Sequence, residues 1–422
     1  MCVLLKMPIW FMETSKQFRR TFLAVAVAFV LSSGTAKAQF IWQSASNEDL
    51  YSQMLSYLRT FQTDLVGEPV YYMSQDLMVE LVAAHKTNPY IWMTQVHNFC
   101  NKLEAMYPPS LSHPKVSKNY EDRYDKLRRG ISRLRDFPMH EVTYDRETPP
   151  PASGQVEAFT AANKQWLQNK REEFFRFLRG PRPTGNELQV AKLYSSGVVA
   201  RTKDACIGID ICYGEGLYDD LYKEELADML DVLYVTHAHG DHYDLELFRM
   251  MMAKGKPVVG PSTMARHFTN VEGEKHFWSE SQLEPQLIGG VASTQAYMSA
   301  QGEEPCLLYL IQIGDWRVVH IGDNSHHENE ELIYPLFPMA DVVFAPVFQG
   351  VVYLFTSTLA APNPDNIEQV YVNIHENEWH HEIHGRISYE YLYNHNGALN
   401  NGGRPYPSVA IVDNGEHITL YK

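Results

Sequence analysis

The sequence predicts an α/β sandwich over its second half, preceded by a mostly helical N-terminal region. Apolar residues recur at helical spacing up to about residue 147, and a Pro-rich stretch at 148–155 then interrupts the chain. Beyond about residue 186 the pattern changes to short β-branched runs, as an α/β sandwich requires. The clearest run, 232–236, stops abruptly at His237, His239, Asp241 and His242. A chain of 422 residues suits two domains, and 45% hydrophobic residues supply a globular core.

The first 38 residues read differently. Lys16, Arg19 and Arg20 precede an apolar run at 21–31, followed by Ala36-Lys37-Ala38. That is the order of a secretory signal: charged segment, apolar segment, small-residue cleavage site. Met12 offers an alternative start just before it. The apolar run is too short to span a membrane, and no Cys follows it to carry a lipid. The mature chain is expected to begin near Gln39 and to be exported to the periplasm or the extracellular medium. Cleavage takes five of the 36 Lys/Arg and one of the 51 Asp/Glu, leaving 31 against 50 and a net charge of −19. Such a surface repels polyanions, which counts against nucleic acid or anionic lipid as a partner. A small anionic substrate remains compatible, because a metal supplies local positive charge. Cys100, Cys206, Cys212 and Cys306 are too few for a disulfide scaffold and are expected to be structural thiols.

Within 39–147, Ser46 and Asp49 resemble a helix start, and Leu50, Met54, Tyr57, Leu58 and Phe61 then share one face. Further helices are expected at 74–84 and at 120–135, the latter burying Tyr124, Leu127, Ile131 and Leu134. The basic run 126–129 reads as a solvated helix face, and His85, His97, His113 and His140 lack ligand spacing and read as surface or packing residues. Residues 148–185 form a linker and a helix at 156–178, stopped by Gly180-Pro181-Arg182-Pro183. From 186 to 422 the sandwich follows. Strands are expected at 198–201 and 206–211, a helix at 221–230, the central strand from Val232, and a helix at 245–253 whose Met250, Met251 and Met252 belong to the core. A strand ends at 258–261, and a hairpin of 306–313 and 316–321 about Gly314-Asp315 delivers Gly322-Asp323-Asn324. Strands at 341–346 and 370–374 come next, the second leading into His375, and the chain is expected to close with a hairpin about Asn414-Gly415. No internal repeat is visible.

Imidazole and carboxylate together form the ligand set of Zn²⁺ and related divalent ions. His237 and His239, two apart in an extended segment, point the same way. Gly240 is expected to let the backbone turn, so that Asp241 and His242 face a second position. His-x-His-x-Asp-His after an apolar strand resembles the signature of the metallo-β-lactamase fold superfamily. The wording Val-Thr-His-Ala-His-Gly-Asp-His looks closest to its lactonase-like branch, which includes ascorbate-6-phosphate lactonase. The resemblance covers about 186–422.

That resemblance implies an αββα sandwich carrying a one- or two-metal hydrolytic site. It implies Asp210 as a buried support of the metal loop, Asp323 as the carboxylate bridging two metals, and His375 as the last metal histidine. His380, His381 and His384 compete with His375 for that register. The family's further histidine, about twenty to thirty residues before Asp323 by analogy with the motif, is missing from the window 293–301, and His267 and His276 lie too early. The position using His237 and His239 is therefore incomplete. The other, Asp241, His242, Asp323 and His375, is complete. Three outcomes stay open: a single metal, recruitment of His326 or His327, or a retained fold without catalysis. The expectation is Zn²⁺, with Mn²⁺ as the alternative, well bound at one position and weakly or not at all at the second. Its activated water would attack a small-molecule ester, lactone or phosphoester, with Asp241 as both ligand and orienting group. The competing reading is a non-catalytic exported binding protein with a degenerate site.

Overall fold

Three helices open the described chain: α1 (Asn47–Thr63), α2 (Pro69–Ala83) and α3 (Pro89–Met106). The computed structural model describes residues 47–63, 69–83, 89–106, 130–135, 137, 153–212, 220–270, 272–280, 286–301, 304–324, 332–333, 335–346, 370–375, 408–410 and 412–422. Proline opens α2 and α3, where its missing N–H has no helical partner to lose. Met54, Leu58 and Phe61, expected on one face, are buried with Trp92, Met93, Val96, Ile131 and Leu134. The helix expected at 74–84 starts earlier, at Pro69, and α3 has no counterpart in the expectation. Residues 130–135 are helical as expected, while 120–129 lie outside the described residues. His97 is a packing residue, fully buried, and accepts a hydrogen bond at Nδ1 from Arg135 at 3.0 Å.

α4 (Ser153–Arg179) is longer than the expected 156–178 and begins inside the stretch read as linker. Its two ends serve different cores. Phe159 packs among the N-terminal helices, whereas Trp166, Leu167, Phe174, Phe175 and Leu178 pack against the sandwich. Arg201 caps its far end, donating to the carbonyls of Leu178 (2.9 Å), Phe177 (3.0 Å), Pro181 (3.2 Å) and Gly180 (3.4 Å). Two of these are carbonyls of the last helical turn, where intrahelical donors run out, and two follow it; Phe177 O also accepts from the Gly180 amide at 3.0 Å.

The first sheet takes β1 (Leu188–Lys192), β2 (Val198–Arg201), β3 (Cys206–Ile209), β4 (Val232–Tyr234), β5 (Val258–Gly260), β6 (Phe277–Ser279) and β14 (His417–Leu420). Its order is β14-β1-β2-β3-β4-β5-β6. The second takes β7 (Gln286–Ile288), β8 (Ala292–Gln301), β9 (Glu304–Ile313), β10 (Trp316–His320), β11 (Val342–Pro346), β12 (Val370–Ile374) and β13 (Ser408–Ala410), in the order β13-β12-β11-β10-β9-β8-β7. Each sheet runs through three antiparallel pairings and then three parallel ones. The two halves therefore share a topology that the sequence does not display as a repeat. Val190, Ile207, Val232, Tyr234, Tyr309, Ile311, Val342 and Val372 fill the space between the sheets. α4, α5 (Asp220–Met229) and α6 (Leu245–Ala253) cover the outer face of the first sheet, Met251 and Met252 among the buried residues. With helices preceding it, this is the expected αββα arrangement.

Two expectations are corrected. The chain does not close with a hairpin: β13 pairs parallel with β12 in one sheet, and β14 pairs antiparallel with β1 in the other. The turn itself exists, with Gly415 at φ 82°, but its amide donates to Lys192 O at the end of β1, the strand that β14 joins. Turn chemistry sets a local reversal; the free sheet edges choose the partners. Gly240, expected to permit a tight turn, does not take a positive φ, and a Cβ there would meet nothing. Cys100, Cys206, Cys212 and Cys306 are buried thiols, as expected. Among the described residues no helix is long and apolar enough to cross a membrane, and the candidate leader at 1–38 lies outside them.

Candidate metal centre

The histidine cluster sits beyond the carboxyl ends of β3, β4, β10 and β12, where parallel strands leave a crevice. Asp210 follows β3 with φ 51°, and its amide donates to Tyr234 O at 2.9 Å. Its carboxylate is fully committed behind the cluster. Oδ1 accepts from the Thr236 amide at 2.7 Å, and Oδ2 accepts from Thr236 Oγ1 at 2.8 Å and His242 Nδ1 at 2.9 Å. Because the Thr236 hydroxyl donates to Asp210, it accepts from His237 Nδ1 at 3.0 Å. Both imidazoles thus commit an Nδ1 proton to the rear and turn Nε2 forward, the atom free to coordinate a cation.

What they face is carboxylate. His242 Nε2 lies 3.2 Å from Asp323 Oδ1 and 3.5 Å from Asp241 Oδ2. His375 Nε2 lies 3.0 Å from Asp323 Oδ2 and 3.4 Å from Asp241 Oδ2. His237 Nε2 lies 3.0 Å from His239 Nδ1 and 3.8 Å from Asp323 Oδ2. Two groups of donor atoms, each within 4.8 Å, result: Asp241, His242, Asp323 and His375, and His237, His239 and Asp323. Asp323 belongs to both.

This arrangement fits a divalent ion. Ligand bonds of ~2.1 Å place tetrahedral donors roughly 3.4 Å apart, and the spacings here run from 3.0 to 3.8 Å. Ring nitrogens and the negative charge of Asp241 and Asp323 converge on one largely buried volume, which a cation relieves. The titration behaviour has the same origin. Burial opposes charge on His242, yet Asp323, Asp210 and Asp241 raise its pKa well above the ordinary value. Burial works to raise Asp323, but His242 and His375 hold it well below the usual carboxylate range. Burial, and then the charge of His242, pushes His237 down to about 3. The pocket calls for positive charge at its centre and keeps His237 neutral.

Backbone strain places the two distant donors. Gly322, at φ 56°, precedes Asp323, and a Cβ there would stand 2.9 Å from both Cys306 Sγ and Thr236 Cβ. Only glycine lets the end of β10 come this close to Thr236. His375 has φ 72°, and its amide donates to Ser195 O at 3.1 Å; Ser195 is itself at φ 50°. Left-handed conformations in non-glycine residues gather at functional sites.

The window 293–301, where a further histidine is missing, lies on β8. Its buried Ser299 donates to Asn324 Oδ1. Asn324 Nδ2 in turn donates to Ile321 O and, at 3.3 Å, to Cys306 Sγ, which lies 3.8 Å from His237 Nδ1. Burial holds the Cys306 thiol protonated, with its pKa pushed up to about 12. His267 and His276 join neither donor group, and His326, His327, His380, His381 and His384 lie outside the described residues. Sequence reasoning missed Thr236, Cys306, Asn324 and His320. His320 is fully buried, accepts from the Gly322 amide at 3.1 Å and stands 3.8 Å from Asp210. Its one signal was an imidazole inside the apolar strand Val318-Val319-His320-Ile321.

Residues 190–362 match the family model described as Beta-lactamase superfamily domain. No curated protein matches the chain. Among solved structures, the metallo-β-lactamase fold protein YhfI from Bacillus subtilis is similar at 15% identity and a TM-score of 0.40, covering 56% of this chain and 100% of its own. Igni18, a metallo hydrolase from Ignicoccus hospitalis, is similar at 17% identity and a TM-score of 0.42, with the same coverage of 56% and 100%. An isothiocyanate hydrolase from Delia radicum gut bacteria is similar at 12% identity and a TM-score of 0.38, covering 55% of this chain and 98% of its own. At such scores these likenesses add nothing to the fold that the two sheets already display.

Proposed function

We propose that this chain, which carries a β-lactamase superfamily domain over residues 190–362, is a metal-dependent hydrolase of a small ester, lactone or phosphoester. The observation that carries this reading is the Asp323 carboxylate shared by two groups of metal-competent donors. A divalent ion held there supplies an acidified water and a polarised substrate oxygen. The residues do the rest. Asp241, with its side chain 18% exposed against 4% or less for His242, Asp323 and His375, is the carboxylate that solvent and substrate reach. It orients the attacking water and takes up its proton. Asp210 and Thr236 keep Nε2 of His242 and His237 turned to the centre.

The two positions are unequal in this reading. Asp241, His242, Asp323 and His375 offer four donors and hold the tight ion; His237, His239 and Asp323 offer three, with Ser299 on the strand where a histidine is missing, and hold a second ion weakly. A donor set of two imidazoles and two carboxylates would favour Zn²⁺, with Mn²⁺ as the alternative. The wording of residues 235–242 supports the lactonase-like branch, and residues 16–38 support export. The acidic balance supports a small-molecule substrate over nucleic acid. Ser299 is also what favours a second reading, a binding protein with a degenerate centre.

Elemental analysis of the purified, secreted chain beside Asp323→Ala decides between them. About one tight equivalent of Zn or Mn, the minimum for a metal-activated water, is expected in the parent and lost in the variant, with an N-terminus at Gln39. Chelator-sensitive hydrolysis should follow the metal. A chain that retains no metal even after reconstitution sinks the hydrolase and leaves the binding protein.

A further inference from the structure

The helical region reaches the candidate metal centre through the closing turn, residues 412–417. Ser132, in the helical segment 130–135, donates a 2.6 Å hydrogen bond to Asp413 Oδ2, and both residues are buried. Lys170 of α4 adds a buried ammonium facing Glu104 at 3.6 Å and Glu173 at 3.5 Å, in the field of Asp413 and Glu416. The turn is closed on itself: the Asp413 amide donates to Glu416 Oε2 at 2.9 Å, and the Glu416 amide to Asp413 O at 3.0 Å.

Two connections lead from this turn to His375. In one, the Val412 amide donates to Asn373 Oδ1 at 2.8 Å, and Asn373 Nδ2 donates back to Val412 O at 3.4 Å. Asn373 is fully buried in β12, two residues before His375. In the other, Lys192 at the end of β1 donates its amide to Glu416 O at 2.9 Å and accepts from the Gly415 amide at 2.8 Å. Three residues later Ser195 O receives the His375 amide at 3.1 Å. His375 and Ser195 are both in the left-handed region without being glycine. Such a conformation persists only where its surroundings over-determine it, and the grip here comes from segments docked on the helices.

We propose that the helical N-terminal region positions His375 for metal binding through the closing turn, with Ser132 and Asn373 as positioning residues. This rests on the reading of His375 as a metal ligand. Loosening the turn lets His375 leave its strained conformation and withdraws Nε2 from Asp241 and Asp323. The helices thereby act as a buttress of the centre.

Calorimetric titration of the metal-free full chain with Zn²⁺ tests this. Ser132→Ala should weaken the tighter site about tenfold, as outer-sphere partners of metal ligands do, with stoichiometry unchanged. Ser132→Thr, which keeps the hydroxyl, should stay within about twofold of the parent by the same principle. A merely structural role would lower the melting temperature of the metal-free chain yet leave the affinity of folded protein unmoved; that result overturns the proposal. Should Ser132→Ala fail to fold, the parent chain still answers, because coupling between two sites is reciprocal. Zn²⁺ should then slow amide exchange in 130–135 and 412–417 as well as in 237–242, and unaltered exchange in 130–135 counts against the buttress. A parent that binds no Zn²⁺ defeats the metal-centre reading itself and this inference with it. Binding by the parent that Ser132→Ala matches defeats the inference alone.

Discussion

At the scale of single residues, the centre depends on which glycine is needed and which is incidental. Gly240 sits inside the motif, yet its turn closes through the His242 amide on His239 O at 3.0 Å and leaves open space at Cβ. Gly322 lies 82 positions further on by the numbering, where an added Cβ would stand only 2.9 Å from Thr236 and Cys306. Gly322→Ala is expected to push the end of β10 away and displace Asp323, costing about 1–3 kcal/mol as overpacking does and at least about tenfold in Zn²⁺ affinity. Gly240→Ala should leave both unchanged. Urea midpoints and Zn²⁺ titrations of the two variants side by side check the contrast; equal losses would mean that the motif glycine matters as much. The four clustered donors were legible because they stand within six residues. Thr236 and Asn324 were not, since nothing in a sequence tells a hydroxyl or amide behind a ligand from one in solvent.

At the scale of elements, α4 joins the helical region to the sandwich, and its far end is fixed by one side chain. Arg201, on β2 and only 3% exposed, satisfies four carbonyls at the helix end and also donates to Gln189 Oε1 at 2.6 Å. Arg201→Ala removes the donor to the buried Leu178 carbonyl and loosens three partly buried ones, so a loss of about 1–3 kcal/mol is expected, read as a lower urea midpoint. Zn²⁺ per folded chain should not change, since β2 carries no donor of the centre. A midpoint within error of the parent would show that water replaces the guanidinium. The span 156–178 was readable from periodicity, but its capping was not: Arg201 lies more than twenty residues past the helix end and reads as an ordinary strand residue.

At the scale of the whole molecule, stability responds to acid through a buried histidine. In the helical core, burial, and then the charge of Arg135, pushes the His97 pKa well below its ordinary value, so the folded protein keeps it neutral. The unfolded chain takes up that proton near pH 6.5. Stability is therefore intact above that pH and falls as the pH drops through it, by up to about 1.4 kcal/mol per pH unit for one proton. Urea midpoints at pH 7.5, 6.5 and 5.5 should show a smaller acid decline in His97→Asn than in the parent. Identical slopes would mean that His97 is not the group concerned. The same scale holds what the chain did not advertise, the common succession of pairings in its two sheets. Asp210 follows β3 and Asp323 follows β10, corresponding strands of the two halves. One supports the cluster from behind and the other faces it.

By itself the sequence determined the layered α/β class, the strand that ends in the histidine cluster, the donor types offered there and the absence of a histidine on β8. These are properties of spacing and side-chain chemistry over a few residues, which the local backbone period translates into direction. Resemblance carried Asp210, Asp323 and His375 as expectations. Only the tertiary structure brought Asp323 within 3.0 Å of His375 and 3.2 Å of His242 and sent β14 to the opposite sheet from β13. It also placed the closing turn between Ser132 and Asn373. Those facts depend on which sheet edges were free and which hydrogen bonds close across hundreds of residues, and no local pattern records either.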